Sequence, residues 1–256
     1  MKLLVTICAR AGSKGVKSKN IREFCGRPIL YYTLASYQLF IEKYAAEFHD
    51  ITLAVNTDSR ELVEQMERSG IPYVSIAREE ELAGDYVSKM SVIRDTLLKV
   101  EEQTKKCYDI TVDLDLTSPI RTAEDIKGTI ETLLSDENAD ISYSVTESRR
   151  SPYFNMVCIK ENGYYNTVLK SEFVSRQQVP VCFDMNASIY AYRRRYLIEG
   201  QANERNAVIW RMSDTAVLDI DSEEDYELLG ILMRHFAGKR EEIRALVHKA
   251  EAIDCM

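Results

Sequence analysis

The sequence predicts an α/β fold, with a doubly wound, mostly parallel sheet and a β-rich lobe inserted in its third quarter. Three observations carry this. Apolar runs of strand length alternate with helical periodicity through the first half of the chain. Between about residues 140 and 193 that alternation gives way to short β-type runs broken by turn signals. Regular strand and helix patterns then return. In such a sheet a ligand sits beyond the carboxyl ends of the strands, where the strand order reverses. Residues that follow each strand are therefore the first to inspect.

Taken in order, Leu3–Cys8, Ile51–Val55, Tyr73–Ile76 and Ile110–Leu114 have the continuous apolar character of strands buried on both faces. Pro28–Ala46, Ser59–Ser69 and Ser88–Lys105 carry apolar residues at helical spacing. Pro28 suits a first helical position, and Gly70-Ile71-Pro72 is a stop signal. In the third quarter, Ile141–Val145, Phe154–Ile159, Tyr164–Leu169 and Ser188–Tyr192 read as strands, with a turn at Glu161-Asn162-Gly163. Strands at Val208–Met212 and Thr215–Ile220 follow, then a helix from Glu223 for which Ser222 and Asp225 resemble a capping box. The stretch from Gly238 has the pattern of a charged amphipathic helix. The expected organisation is one domain over residues 1–256, with the inserted lobe at about 140–193.

Composition limits the function. The 256 residues are 45% hydrophobic and 29% charged, which is ordinary for a globular chain and argues against disorder. A formal charge of −8 disfavours nucleic acid as a partner. The longest uncharged stretch, Pro28 to Ile41, is too short and too polar to span a bilayer, and the apolar start before Arg10 is too short for a signal peptide. Cys8, Cys25, Cys107, Cys158, Cys182 and Cys255 are scattered and form no C-x-x-C pair. A reduced, cytoplasmic protein without a zinc cluster is expected. His49, His235 and His248 lie outside every cluster of interest, and Trp210 is most simply core.

The first strand is followed by Ala9-Arg10-Ala11-Gly12-Ser13-Lys14-Gly15-Val16-Lys17-Ser18-Lys19-Asn20. Glycines at 12 and 15 permit positive φ and close backbone approach, so the loop's N–H groups can face an anion. Arg10, Lys14 and Lys19 add charge that no carboxylate in the loop neutralises. A polyphosphate fits this description, although the pattern is neither the Walker loop nor G-x-G-x-x-G. Near the other end, Asp219-Ile220-Asp221 follows a predicted strand, and residues i and i+2 of a strand share a face. Two such carboxylates opposite a basic loop describe a Mg²⁺ site, for one ion or two. A solvated acidic approach to the helix is the alternative, because Glu223, Glu224, Asp225 and Glu227 follow.

The opening loop, A-R-x-G-S-K-G-x-x-x-K-N, resembles the first motif of the acylneuraminate cytidylyltransferases, which make cytidine-monophosphate sugars. The resemblance implies a Rossmann-like nucleotidyltransferase fold and a triphosphate site at Arg10, Gly12, Ser13, Lys14, Lys19 and Asn20. Arg78, opening R-E-E-E-L-A-G-D, matches the stretch that recognises cytosine. Leu114-Asp115-Leu116-Thr117-Ser118-Pro119-Ile120-Arg121 is similar to L-Q-x-T-S-P-L-R, with Asp115 where sialic acid members usually carry Gln. A carboxylate there would repel phosphate unless it meets a cation or a sugar hydroxyl. The D-L-D-x-T-S-P form and Ser151-Pro152-Tyr153 resemble members acting on legionaminic-type nonulosonic acids. In the lobe, Arg176, Gln177, Asn186 and Tyr190 match the sugar-facing segment, with Tyr190 alternatively a core residue of its strand.

The resemblance implies that CTP and a nonulosonic acid, legionaminic- or sialic-type, give the CMP-sugar and pyrophosphate. Arg10, Lys14, Lys19 and Asp221 would act in catalysis, Asp219 and Asp221 on Mg²⁺, and Asp115 on the sugar. Either aspartate of the pair is a candidate to accept the sugar's proton, and the sequence does not choose between them. The family further implies a homodimer built by the lobe. Alternatives are a synthetase for the eight-carbon sugar acid of lipopolysaccharide, a nucleotide-sugar glycosyltransferase of similar fold, and a non-catalytic nucleotide-binding regulator.

Overall fold

A computed structural model describes residues 1–12, 16, 18–84, 86–199 and 205–253. Its strands are β1 (Lys2–Cys8), β2 (Glu23–Phe24), β3 (Arg27–Pro28), β4 (Asp50–Thr57), β5 (Val74–Ala77), β6 (Ile110–Leu114), β7 (Ile141–Glu147), β8 (Val157–Ile159), β9 (Tyr165–Thr167), β10 (Phe183–Arg193) and β11 (Ala207–Arg211). The helices are α1 (Ile29–Tyr44), α2 (Arg60–Ser69), α3 (Lys89–Thr104), α4 (Ala123–Leu134), α5 (Arg194–Glu199), α6 (Glu223–Ala237) and α7 (Glu241–Ala252).

Seven strands form the central sheet in the order β11-β7-β10-β6-β1-β4-β5. β1 is parallel to β4 and β6, β4 to β5, and β11 to β7; β10 alone runs antiparallel to its neighbours β6 and β7. The sheet is doubly wound because β1 sends alternate side chains to opposite layers. Leu3, Val5 and Ile7 join the core formed with α1, α2, α4, α6 and α7, whereas Leu4 packs with Ile93, Leu97 and Val100 of α3 and with Tyr192 and Tyr196. The chain winds outward from β1 through β4 to β5, then returns to place β6 on the other side of β1. This reversal opens a crevice at the carboxyl ends of β1 and β6.

Local chemistry accounts for the helix ends. Gly70 adopts φ +65° and closes α2, as its Gly-Ile-Pro sequence predicts. Ser59 and Ser88 accept backbone N–H bonds that start α2 and α3. Thr122 with Asp125 and Ser222 with Asp225 form full capping boxes on α4 and α6. The C-terminal stretch lies in the core: Ile243, Leu246 and Ala250 of α7 are buried in the cluster that includes α1.

Two expectations change. The predicted strand at Thr215–Ile220 is a 3-10 turn over Asp214–Ala216 followed by irregular chain. Its Ser213 and Thr215 hydroxyls lie 3.1 Å apart and both accept from Arg240, a local alternative to a strand ladder. The lobe drawn at 140–193 is also shorter. β7 and β10 belong to the central sheet, so only residues 148–182, with the β8–β9 hairpin, stand outside it.

Candidate active site

A cleft of about 350 Å³ lies at the switch point, lined by residues from β1 and its loop (Cys8, Ala9, Arg10, Lys19, Asn20), from the loop after β5 (Arg78, Leu82, Gly84, Val87), from α3 (Lys89, Val92), and by Asp115, Thr117, Ala187 and Asp219. A smaller cavity of about 190 Å³ adjoins it along the basic loop, past Ala11, Gly12 and Ser18. Sequence segments more than two hundred residues apart therefore converge.

Each side chain has an identifiable positioner. Arg10 Nη1 donates to Ala83 O at 3.0 Å, and Asn20 Nδ2 holds Arg10 O at 3.0 Å, so the basic loop is tied to the loop after β5. Gly12 takes φ +77°, the conformation for which a glycine is needed. Lys19 Nζ donates to Ile220 O at 2.6 Å and to Asp221 Oδ1 at 2.9 Å. Arg78 donates from Nε and Nη2 to the side-chain and backbone oxygens of Asn56, at 2.9 and 3.1 Å. Burial lowers the pKa of its guanidinium, against the pull of nearby acidic groups.

Asp219 and Asp221 come together without a strand. Ile220 N donates to Thr117 O at 2.9 Å, and this bond brings the segment to the end of β6. Asp219 lines the cleft, whereas the Asp221 side chain is 73% exposed and pairs with Lys19 at the cleft mouth. Burial and the Asp221 charge raise the Asp219 pKa, with Asp115 adding to the effect. A carboxyl so disposed gains from a nearby cation. No cluster of three or more metal-ligating acids, cysteines or histidines occurs among the described residues. Asp219 beside a polyphosphate nevertheless fits Mg²⁺, which takes one or two carboxylates and completes its shell with substrate oxygens and water.

Asp115 meets the cation that the sequence left unidentified. Lys89 Nζ lies 2.5 Å from its Oδ2 and 2.8 Å from Asp113 Oδ2, while Thr117 donates its N–H and hydroxyl to Asp115 Oδ1. Burial opposes the Asp115 charge, but Lys89 and Thr117 outweigh it and hold the carboxyl well below the usual range. Burial would likewise lower the Lys89 ammonium, yet the two carboxylates lift it well above its ordinary value. Lys89 and Asp113 escaped the reading of the sequence. The signal was present in Asp113-Leu114-Asp115, two carboxylates at strand spacing, which together require a cation.

Arg121, the last residue of the same motif, is wholly buried and acts as a brace. It donates to Ser188 O at 2.6 Å, Thr33 Oγ1 at 3.0 Å and Asp115 O at 2.9 Å, joining β10, α1 and the loop after β6. Burial, partly offset by Asp115 and Asp113, lowers its pKa to about 10.

The lobe residues fall differently. Asn186 is 1% exposed, accepts from Ser144 Oγ at 2.7 Å and donates to Ala216 O at 2.9 Å, so its amide is consumed inside the fold rather than facing a sugar. It sits where the pairing of β10 with β7 slips between Met185 and Tyr190, a bulge with Ala187 at φ +53°. The bulge turns Asn186 inward and sets Ala187 against the cleft. Tyr190 is partly buried with its ring 5.4 Å from Lys89 Nζ, beside the cleft floor. Gln177 is exposed in a 3-10 turn over Arg176–Gln178. Ser13, Lys14 and the Arg176 side chain lie outside the described residues.

Comparison with known proteins agrees with this geometry. The family model described as Cytidylyltransferase matches residues 4–247. The chain is 38% identical over 238 residues to the CMP-N,N'-diacetyllegionaminic acid synthase of Campylobacter jejuni, covering 90% of this chain and 94% of that protein. It is 36% identical over 236 residues to the post-translational flagellin modification protein B of Campylobacter coli, covering 91% and 95%. Among solved structures, a CMP:2-keto-3-deoxy-manno-octonic acid synthetase complexed with CTP matches with a TM-score of 0.63 at 15% identity, covering 92% of this chain and all of that one. That likeness concerns the fold. No described helix is long and apolar enough to cross a membrane. With a basic loop and an acidic segment facing each other at the switch point of its sheet, the chain belongs to the cytidylyltransferase family.

Proposed function

We propose that the protein joins CTP to a nonulosonic acid of legionaminic or sialic type, giving the CMP-sugar and pyrophosphate. The observation that carries this is the cleft in which Arg10, Lys19 and Arg78 confront Asp115 and Asp219. The legionaminic-acid relative supports the substrate class.

In this reading the sugar's anomeric hydroxyl attacks the α-phosphorus in line and the pyrophosphate departs. The residues contribute position and charge, since phosphoryl chemistry asks little covalent work of a protein. Arg10 and Lys19, with Lys14 from the same loop, neutralise the triphosphate and the leaving pyrophosphate. Arg78 is fixed by Asn56 with one guanidinium nitrogen left to meet the base. Asp219, with Asp221, would hold Mg²⁺, which when bound polarises phosphate oxygens. Lys19 holds Asp221 at the cleft mouth and spans the basic and acidic segments.

A homodimer belongs to the same proposal. The lobe exposes Val157, Ile159, Tyr164, Tyr165, Val174 and Val181, apolar surface of the kind that marks an interaction site. A second copy of the chain would cover it and bring lobe residues such as Gln177 to the neighbour's cleft. Its need for CTP supports a cytoplasmic setting.

The test is pyrophosphate release from CTP with Mg²⁺ and, in turn, sialic, legionaminic, pseudaminic and eight-carbon sugar acids. Release that depends on one nine-carbon acid supports the reading. Release with the eight-carbon acid alone would transfer it to that substrate, and no release with any acid would sink it. If Asp219→Ala and Asp221→Ala both keep full activity, the metal assignment fails.

A further inference from the structure

The floor of the cleft holds a hydrogen-bonding unit with unused capacity. Asp113 is 0% exposed inside β6; Thr6 Oγ1 donates to its Oδ1 at 2.7 Å, while Lys89 Nζ forms an ion pair 2.8 Å from Oδ2 without hydrogen-bond geometry. The same ammonium lies 2.5 Å from Asp115 Oδ2, and the Thr117 N–H and hydroxyl fill Asp115 Oδ1 at 2.9 and 2.8 Å. An ammonium has three protons and a carboxylate oxygen about two acceptor sites. Lys89, hydrogen-bonded to Asp115 and ion-paired with Asp113, therefore keeps at least one N–H, and Asp115 Oδ2 keeps one lone pair. Both residues line the cleft, and the Tyr190 ring centroid stands 5.4 Å from Nζ.

We propose that Lys89 is a specificity-determining residue: with Asp115 it forms a donor–acceptor pair, anchored by buried Asp113, that reads a hydroxyl group of the bound substrate. A hydroxyl satisfies both members at once, accepting from the ammonium and donating to the carboxylate. A phosphate oxygen accepts only and would meet the Asp115 charge, whereas an amide nitrogen offers only a donor. The three side chains are mutually fixed, so little conformational entropy is lost when the hydroxyl arrives. Two sources share this chemistry, the ribose of the nucleotide and the sugar acid. The inference rests on the nucleotidyl-transfer reading above.

Lys89→Arg and Asp115→Asn test it. The first keeps a cation for Asp113 and displaces the donor; the second leaves the buried Lys89–Asp113 pair intact and removes the acceptor charge. Pyrophosphate release by the unaltered protein comes first, because its absence speaks against the reaction and not against this site. In that event calorimetry with CTP, dCTP and each sugar acid reads both arms, and affinities for all of them unchanged in Asp115→Asn overturn the inference. With activity present, the expected result in both variants is a KM raised about tenfold to a hundredfold, the value of a lost charge-assisted hydrogen bond, with kcat changed far less. A raised KM for the sugar acid identifies its hydroxyl as the ligand. A raised KM for CTP with lost discrimination against dCTP identifies the ribose. Both KM values unchanged, or a loss confined to kcat and thermal stability, overturns the proposal.

Discussion

Lys19 stands where the two charged segments of the sequence meet. Its ammonium bridges Ile220 O and Asp221, so one residue both lines the cleft and fixes its mouth. Lys19→Met is expected to reduce turnover by about a hundredfold to a thousandfold, the usual cost of losing one charge-stabilising donor. Stability should change little, because Asp221 is exposed and surface pairs contribute about 0–1 kcal/mol. Turnover within a few-fold of the original would remove Lys19 from the proposed machinery. Asp115 gives a pH-dependent counterpart. Its carboxyl pKa lies below the unfolded value, so its stabilisation is present above about pH 4 and lost as pH falls through the folded pKa. The denaturation midpoint of the unaltered protein should therefore fall more steeply on acidification below about pH 4 than that of Asp115→Asn. Parallel acid limbs would contradict the ion pair. Asn186 shows the opposite case. The residue type and its neighbours suggest a sugar contact, but the bulge in β10 reverses its direction, and strand alternation alone cannot reveal a bulge.

Among the elements, α4 illustrates how several local demands can agree. Thr122 and Asp125 exchange capping bonds, and the second carboxylate oxygen of Asp125 accepts from Trp210 Nε1 at 3.1 Å. The indole then lies so close to α4 that a β-carbon on Gly128 would come within 2.5 Å of its ring. Gly128→Ala would ordinarily favour a helix, yet here it should destabilise the protein by about 1–3 kcal/mol through overpacking. Urea denaturation followed by tryptophan fluorescence measures this, and an unchanged or raised midpoint would refute the close packing. α1, α2, α3 and the start of α6 were legible to within a residue or two, because caps and periodicity are local, whereas α5 was not foreseen. The segment at Thr215–Ile220 was not: loop packing buries Ala216 and Ile220 but leaves Val217 exposed, and its apolar residues mimic a strand pattern without a strand partner.

The whole molecule explains why a net charge of −8 is compatible with an anionic substrate. Arg10, Lys19 and Arg78 line the cleft with Asp115 and Asp219, and a whole-chain sum averages these local charges. Assembly is expressed at the same scale. Charges introduced on the lobe hairpin, Val157→Asp with Ile159→Asp, should leave the sheet intact and convert a dimer to a monomer in sedimentation velocity. A monomer at all concentrations in the unaltered protein would refute the proposed dimer.

The sequence by itself determined the winding of the sheet, the helix caps, the basic loop after β1 and the family, since each rests on neighbours within a few residues. Only the tertiary structure decided that Lys89 is the cation Asp115 requires, that Asn186 belongs to the interior, that Asp219 and Asp221 occupy different environments, and that β7 and β10 belong to the sheet rather than the lobe. Those outcomes depend on contacts between segments far apart in the chain, which no local periodicity encodes. They are set by the reversal of strand order at β1, which brings β6, the loop after β5 and the segment at 219–221 to one crevice.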